Sequence, residues 1–312
     1  MRLPAHADVL AAADRLGAHV EHTPALSNGN LDGLVGVPVF FKAENLQRAG
    51  AFKFRGAMNA LLCLSDEARR PGVATHSSGN HGAALAMAGQ LLGVPVQVVV
   101  PEGAPAFKLR NILRYGAQVV HCGASLASRE STLNQAVERT GATFVPPYND
   151  FNVICGQGTA ALEFVAQVPD LQTVFVPVGG GGLASGTLTA IGHTHRVIGA
   201  EPELADDAAR SMQTGRIEPA REPRTLADGL RTSLGELTFA ILYGHSLQIV
   251  VVSETEIVAA QELLIENLKM LIEPSSAVPF AALLKMVREG ARPDAPIGVI
   301  LSGGNVEPPA SS

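Results

Sequence analysis

Apolar positions along this chain fall into two alternating kinds of run. Short, β-branched, nearly continuous stretches at 37–41, 72–75, 96–100, 118–121, 173–178, 197–199, 248–252 and 297–301 have the length and composition of strands buried on both faces. Between them lie stretches with helical spacing at 55–64, 82–92, 107–115, 128–139, 159–168, 184–191 and 254–268. Strand–helix alternation with short connections predicts an α/β fold of parallel sheets covered by helices. Residues 72–148 read as a small α/β lobe, and 1–71 with 149–312 as a larger one, so the chain crosses between lobes twice. In open α/β sheets ligands gather at the carboxyl ends of strands and in clefts between lobes, and the chain's unusual motifs fall at such strand ends.

Composition narrows the partners. The chain of 312 residues is 46% hydrophobic and 17% charged, which suits a globular enzyme. Its net charge of −6, its 4% aromatic content and its lack of tryptophan argue against a nucleic-acid or anionic-membrane surface. Any anion site must therefore be built locally. The three cysteines (Cys63, Cys122, Cys155) fit neither a metal pattern nor a disulfide framework, and their apolar surroundings predict buried free thiols. With no charged, apolar leader and no apolar run of about 18 residues, a soluble cytoplasmic protein is expected.

Four motifs carry candidate chemistry. In Ala51-Phe52-Lys53-Phe54-Arg55-Gly56-Ala57 a lysine sits between phenylalanines just before a helix. Poor solvation there favours the neutral amine, a nucleophile able to form a Schiff base with an aldehyde; a snorkelling lysine is the plain alternative. In His76-Ser77-Ser78-Gly79-Asn80-His81-Gly82 a run of small polar residues opens a helix, where free N–H groups favour a carboxylate or phosphate. Beyond the strand 173–178, Gly179-Gly180-Gly181-Gly182-Leu183 forms a nest for phosphate oxygens without the spacing of a dinucleotide or ATP loop. The fourth, Leu301-Ser302-Gly303-Gly304-Asn305, also follows a strand.

An aldehyde-trapping lysine, a phosphate nest and a carboxylate-binding helix end together suit pyridoxal 5′-phosphate and an amino-acid substrate. On these motifs the chain resembles the fold-type II pyridoxal-phosphate enzymes of the threonine/serine dehydratase and serine racemase family, from Glu21-His22-Thr23-Pro24 to Asn305. The resemblance implies a two-lobed, tryptophan synthase β-like fold and a homodimer. It also implies that Lys53 holds the cofactor and moves the substrate α-proton, that Phe52 packs on the ring and that Asn80 meets the 3′-oxygen. Gly179, Gly180, Gly181, Gly182 and Leu183 then bind the phosphate, and Ser302 faces the pyridine nitrogen. Ser77, Ser78, Asn80 and His81 line the substrate carboxylate pocket.

A hydroxyl opposite the ring nitrogen, rather than a carboxylate, makes the ring a weaker electron sink and favours prompt loss of a β-leaving group. Dehydration and deamination of L-threonine or L-serine is thus the expected activity. Ser78, an acid/base group in relatives that carry it, keeps serine racemisation open, and Arg129 keeps open L-threo-3-hydroxyaspartate dehydration, since its guanidinium could hold a second carboxylate. Cysteine-synthase-type replacement and a non-catalytic amino-acid sensor on the same fold are further alternatives. Tyr148 and Thr232 stand where mammalian racemases carry asparagine and serine, with Thr232 near the substrate. The family's cation ligands map to Glu201, the Ala205 carbonyl and Asp207, a set suited to Mg²⁺ or Ca²⁺; a solvated acidic loop is the alternative. Because the chain ends soon after Asn305, no distal regulatory domain is expected.

Overall fold

The computed structural model describes residues 2–221 and 224–307. The chain runs α1 (His6–Leu16), β1 (Ala25–Ser27), α2 (Gly29–Val35), β2 (Val39–Ala43), α3 (Lys53–Cys63) and α4 (Asp66–Arg69). It continues as β3 (Val73–His76), α5 (Asn80–Leu92), β4 (Val96–Pro101), α6 (Ala106–Arg114), β5 (Gln118–Cys122), α7 (Leu126–Thr140) and β6 (Thr143–Phe144). Next come α8 (Phe151–Gln167), β7 (Thr173–Pro177), α9 (Gly182–Ile191), β8 (Arg196–Pro202) and α10 (Asp207–Thr214). The last elements are α11 (Glu236–Gly244), β9 (Gln248–Val252), α12 (Glu254–Leu268), α13 (Pro274–Arg288) and β10 (Ile297–Leu301).

The strands form two sheets. The larger has the order β1-β2-β10-β7-β8-β9, parallel except for its edge strand β1. The smaller, β5-β4-β3-β6, is parallel throughout. Alternation along each strand feeds two cores, as a period of two requires. Phe175 joins Phe41, Val299 and Phe280 on one face of the larger sheet, while Val174 and Val176 join Phe164, Leu183 and Ile300 on the other. In the smaller sheet Val73, Val98 and Val100 pack on α5 together with Phe54, Ala57, Met58 and Leu61 of α3. Helix α3 therefore belongs to the core beneath the smaller sheet as well as packing on α8.

Three helices meet through glycine. A Cβ on Gly56 of α3 would lie 2.8 Å from the Val153 carbonyl oxygen of α8, and one on Gly156 would lie 2.6 Å from the Arg55 carbonyl oxygen. Across the other side of α8, a Cβ on Gly158 would come within 2.6 Å of the Gly186 carbonyl oxygen of α9. Backbone thus rests on backbone from α3 through α8 to α9, closer than side-chain ridges permit.

Several boundaries differ from the sequence pattern. Helix α5 begins at Asn80, two residues before the expected 82, and α8 begins at Phe151 rather than 159. The glycines at 156 and 158 weaken the helical signal of α8, yet they are required by its contacts. Helix α13, with Pro274 in its first turn and Pro279 inside, was not expected; a proline at the first helical position costs nothing, because that N–H has no helical partner. The cysteine expectation needs one correction. All three are free, but Cys63 is exposed because it ends α3 on the solvent side, whereas Cys122 and Cys155 are buried. Among the described residues no helix is long and apolar enough to cross a membrane.

Candidate active site

The carboxyl ends of β3, β7 and β10 converge with the amino end of α3. Lys53 opens that helix, directly after an isolated bridge between Ala51 and Gly303. The Phe52 N–H donates to the Ser302 carbonyl oxygen at 3.0 Å, tying the lysine's backbone to the loop after β10. Lys53 Nζ donates to the Pro147 carbonyl oxygen at 2.7 Å and lies 5.1 Å from the Phe52 ring centroid and 6.0 Å from that of Tyr148. Burial pushes its pKa down to about 8, against the opposing pull of Glu273. Among the described residues no carboxylate pairs with it directly, so the neutral amine expected from sequence is accessible near physiological pH.

Two residues along, Arg55 is fully buried and pairs with Glu44 at 2.7 Å and Glu163 at 2.7 Å. Glu163 also binds Lys42 at 2.8 Å. This charge network anchors the first turn of α3, and hence Lys53, to β2 and α8.

The segment before α5 carries the second motif. Ser77 Oγ accepts the Gly79 N–H at 3.4 Å. Ser78, half-buried, has a hydroxyl with no hydrogen-bond partner among the described residues, and with Asn80, Lys108, Asn111 and Asn305 it lines a small cleft. His81 is buried; its Nε2 donates to the Val145 carbonyl oxygen at 3.1 Å, its Nδ1 has no partner, and burial pushes its pKa down to about 3. A neutral His81 braces the segment bearing Pro147, the acceptor of Lys53.

The glycine loop joins β7 to α9. Gly181 caps α9 in the left-handed region at φ 83°, where a side chain is strained. Its neighbour Gly180 is pressed against Tyr148: a Cβ there would lie 2.4 Å from the ring. The first N–H groups of α9 have no helical acceptor and point with the positive end of the helix, which is the chemistry a phosphate needs. Ser302 is buried, with Ser276 Oγ at 3.1 Å. Ser276 is in turn held by the Gly303 N–H and carbonyl. A buried amine of lowered pKa, an N–H cradle and a buried hydroxyl at one strand-end cleft fit an aldehyde, a phosphate and an aromatic nitrogen.

The remaining expected residues do not line the cleft at Ser78. On α7, Arg129 donates from Nη2 to the Ala124 carbonyl oxygen at 3.2 Å; its Nε is buried without a partner, and it pairs with no carboxylate among the described residues. Its charge acts on His76, at the end of β3, whose ring stacks on Phe144. Thr232 is exposed, between Leu230 and Leu234, which pack on Gly179 and Gly181. Glu201 is buried at the end of β8 and accepts the N–H groups of Ala208 and Ala209 at 2.9 and 2.8 Å, capping α10. Both oxygens of buried Asp207 lack a hydrogen-bond partner of normal geometry, and burial pushes its pKa up to about 7. Ala205 is buried beside them. Among the described residues no three His, Cys, Asp or Glu side chains cluster as a metal set, so a cation here would depend on the carbonyl and on water.

Sequence reasoning missed Glu273, whose carboxylate accepts Asn80 Nδ2 at 2.9 and 3.0 Å, and Asn305, which donates to Asn80 Oδ1 at 2.9 Å. Lys108 of α6, which pairs with Asp228, was missed as well. The usable signal was the acidic residue just before Pro274, a helix-start pattern followed by two serines.

Known proteins agree with this geometry. The profile of the family described as pyridoxal-phosphate dependent enzyme matches residues 16–303. The β-hydroxyaspartate dehydratase of Paracoccus denitrificans is 46% identical over 310 residues, covering 98% of each chain. The serine racemase of Arabidopsis thaliana is 43% identical, covering 96% of this chain and 94% of its own. The crystal structure of the serine racemase from Dictyostelium discoideum superposes with a TM-score of 0.93 at 43% identity, covering 97% of this chain and 99% of that one. With its strand-end lysine and glycine cradle in place, the chain belongs to the fold-type II pyridoxal-phosphate-dependent enzymes.

Proposed function

We propose that this protein is an ammonia-lyase that removes water from a β-hydroxy amino acid, releasing a 2-oxo acid and ammonia, and that β-hydroxyaspartate is preferred over L-serine and L-threonine. The observation that carries the substrate choice is Arg129. A guanidinium whose buried Nε has no partner and which meets no carboxylate among the described residues is available to an acid supplied from outside, which the second carboxylate of β-hydroxyaspartate provides. The first-ranked expectation from sequence, L-threonine and L-serine, lacks that group. The identity to the Paracoccus dehydratase supports the same choice.

Pyridoxal phosphate, when bound, supplies an electron sink conjugated to the substrate α-carbon. The residues do the rest. The α9 amino end and Gly179–Leu183 hold the phosphate, and the α5 amino end with Ser77 orients the α-carboxylate. Lys53, poised near pKa 8, takes the proton from the α-carbon as a neutral amine. Arg129 fixes the β-carboxylate, and with it the rotation about the Cα–Cβ bond that aligns the hydroxyl for departure.

Comparing kcat/KM for β-hydroxyaspartate, L-serine and L-threonine by 2-oxo acid release tests this. Arg129→Ala should lower the β-hydroxyaspartate value by roughly 10- to 150-fold, the range of a lost charge-assisted contact, and leave the other two nearly unchanged. A wild type that handles all three within about tenfold would return the assignment to a serine/threonine dehydratase.

A racemase side activity is favoured by one feature, the unpartnered hydroxyl of Ser78. A divalent cation is favoured by another, the orphaned Asp207 carboxylate. Without a cation, the raised pKa of Asp207 means that the folded protein holds a proton the unfolded chain releases near 3.8. Stability should then fall as pH rises from about 4 through 7. Mg²⁺ or Ca²⁺ at a hundredfold excess over Kd should add about 2.7 kcal/mol and flatten that decline. Thermal melts in EDTA and in added cation, each across pH, decide the point; identical curves would leave the loop a plain helix start.

A further inference from the structure

Among the described residues Glu273 is the carboxylate whose charge acts on Lys53, and no part of the proposed reaction uses it. It caps the amino end of α13, and its N–H donates to the Gly303 carbonyl oxygen at 3.1 Å, beside Ser302. The side chain is buried and forms no ion pair among the described residues. Both of its oxygens instead face one amide, Nδ2 of Asn80, at 2.9 and 3.0 Å. A buried carboxylate held mainly by a neutral amide is costly unless it serves something.

We propose that Glu273 is a positioning residue, which fixes the Asn80 side-chain amide so that an N–H rather than the carbonyl oxygen is offered to the 3′-oxygen of pyridoxal phosphate. An asparagine amide can rotate by half a turn with little change in shape, and its hydrogen-bonding partners decide which way it lies. Here the deciding partners are groups that cannot donate. An ionised carboxylate only accepts, so Nδ2 of Asn80 must face Glu273. At the far end Asn305 Nδ2 donates to the Ala49 carbonyl oxygen at 2.8 Å and to Asn80 Oδ1 at 2.9 Å. The chain from Glu273 through Asn80 and Asn305 to Ala49 therefore has one consistent direction. With one Asn80 hydrogen shared between the two Glu273 oxygens, we assign the second to the cofactor. Burial raises the Glu273 pKa; the N–H groups of Asn80 and Asn305 and the charges of Lys108 on α6 and Lys53 on α3 oppose that rise, with Lys108 itself paired to Asp228.

Glu273→Gln keeps the volume but replaces an obligate acceptor by a neutral amide, so the charge-assisted hold on Asn80 Nδ2 is lost without a cavity. The absorption spectrum of the loaded enzyme reads the hydrogen bonding of the 3′-oxygen directly, whichever substrate is turned over. The variant should keep its cofactor, measured after alkaline release. The ratio of its two main cofactor absorption bands should shift roughly tenfold, the size of a lost charge-assisted contact. Asn80→Ala should shift the ratio likewise, and Glu273→Gln added to Asn80→Ala should do nothing more. Asn305→Ala, which removes a neutral donor and leaves the carboxylate in place, should shift the ratio less than Glu273→Gln does. Acid titration of the wild-type spectrum supplies a check that needs no variant at position 273. Protonating Glu273 turns it into a donor, so an acid limb absent from Asn80→Ala is expected. An unchanged Glu273→Gln spectrum, additive effects in the double variant, or the same acid limb in Asn80→Ala would each overturn the assignment.

Discussion

Lys53→Ala yields a protein that folds but neither holds the visible absorption band of covalently bound pyridoxal phosphate nor turns over substrate. A fall in kcat of at least ~10²–10⁴-fold is expected, because in the proposed reaction the residue that anchors the aldehyde is also the base at the α-carbon. The structure supplies its own control. Lys42 is also buried, yet its amine is bound by Glu163 at 2.8 Å, the Thr23 carbonyl oxygen at 2.6 Å and Gln167 at 3.1 Å. Lys53 has one carbonyl and two rings for company. Lys42→Ala should therefore lower stability and leave the colour, while Lys53→Ala does the reverse. The rate at which cofactor-free enzyme regains colour should rise with pH through about 8, as Lys53 loses its proton. Colour retained in Lys53→Ala would remove the lysine from the chemistry altogether.

Ser78→Ala separates the two faces of the substrate. In the proposed reaction Lys53 serves one face, and the Ser78 hydroxyl, just ahead of α5, is the candidate for the other. Racemisation and D-serine elimination should fall by about 10²–10⁴-fold, the usual loss for a positioned acid/base group. L-serine elimination should change by less than about tenfold, since its proton is taken by Lys53. Chiral chromatography of the residual serine, alongside 2-oxo acid release, reads both activities from one incubation. Equal losses on the two enantiomers would make Ser78 a binding group for the α-carboxylate.

What could be read from the sequence was local. Four glycines after a β-branched run mean a backbone approach wherever they occur, and a lysine between phenylalanines is poorly solvated in any fold. The strand pattern gave the parallel sheets because both their faces are buried and the runs are nearly continuous. Glu273, Asn305 and Lys108 were hidden because their meaning comes from Asn80 and Asp228, which are far away along the chain. The same holds for Arg55, an ordinary helix residue by pattern, which the fold buries between Glu44 and Glu163. The early start of α8 was hidden for the opposite reason. Gly156 and Gly158 look like helix breakers until the neighbouring backbones are seen against them.

Those glycine contacts also set a length standard. Pyridoxal phosphate is a flat ring with a short phosphate arm, so the separation of its aldehyde and its phosphate is confined to a narrow range. The two proposed attachment points belong to different helices, the amine to α3 and the cradle to α9, and α8 stands between them as a spacer. Wherever backbone touches backbone, the spacing is fixed by atoms that every residue has, so side-chain drift elsewhere leaves it untouched. A methyl group at Gly156, Gly158 or Gly186 would act as a shim, moving one attachment point against the other. The site's dimensions are thus held from a helix interior that carries none of the chemistry.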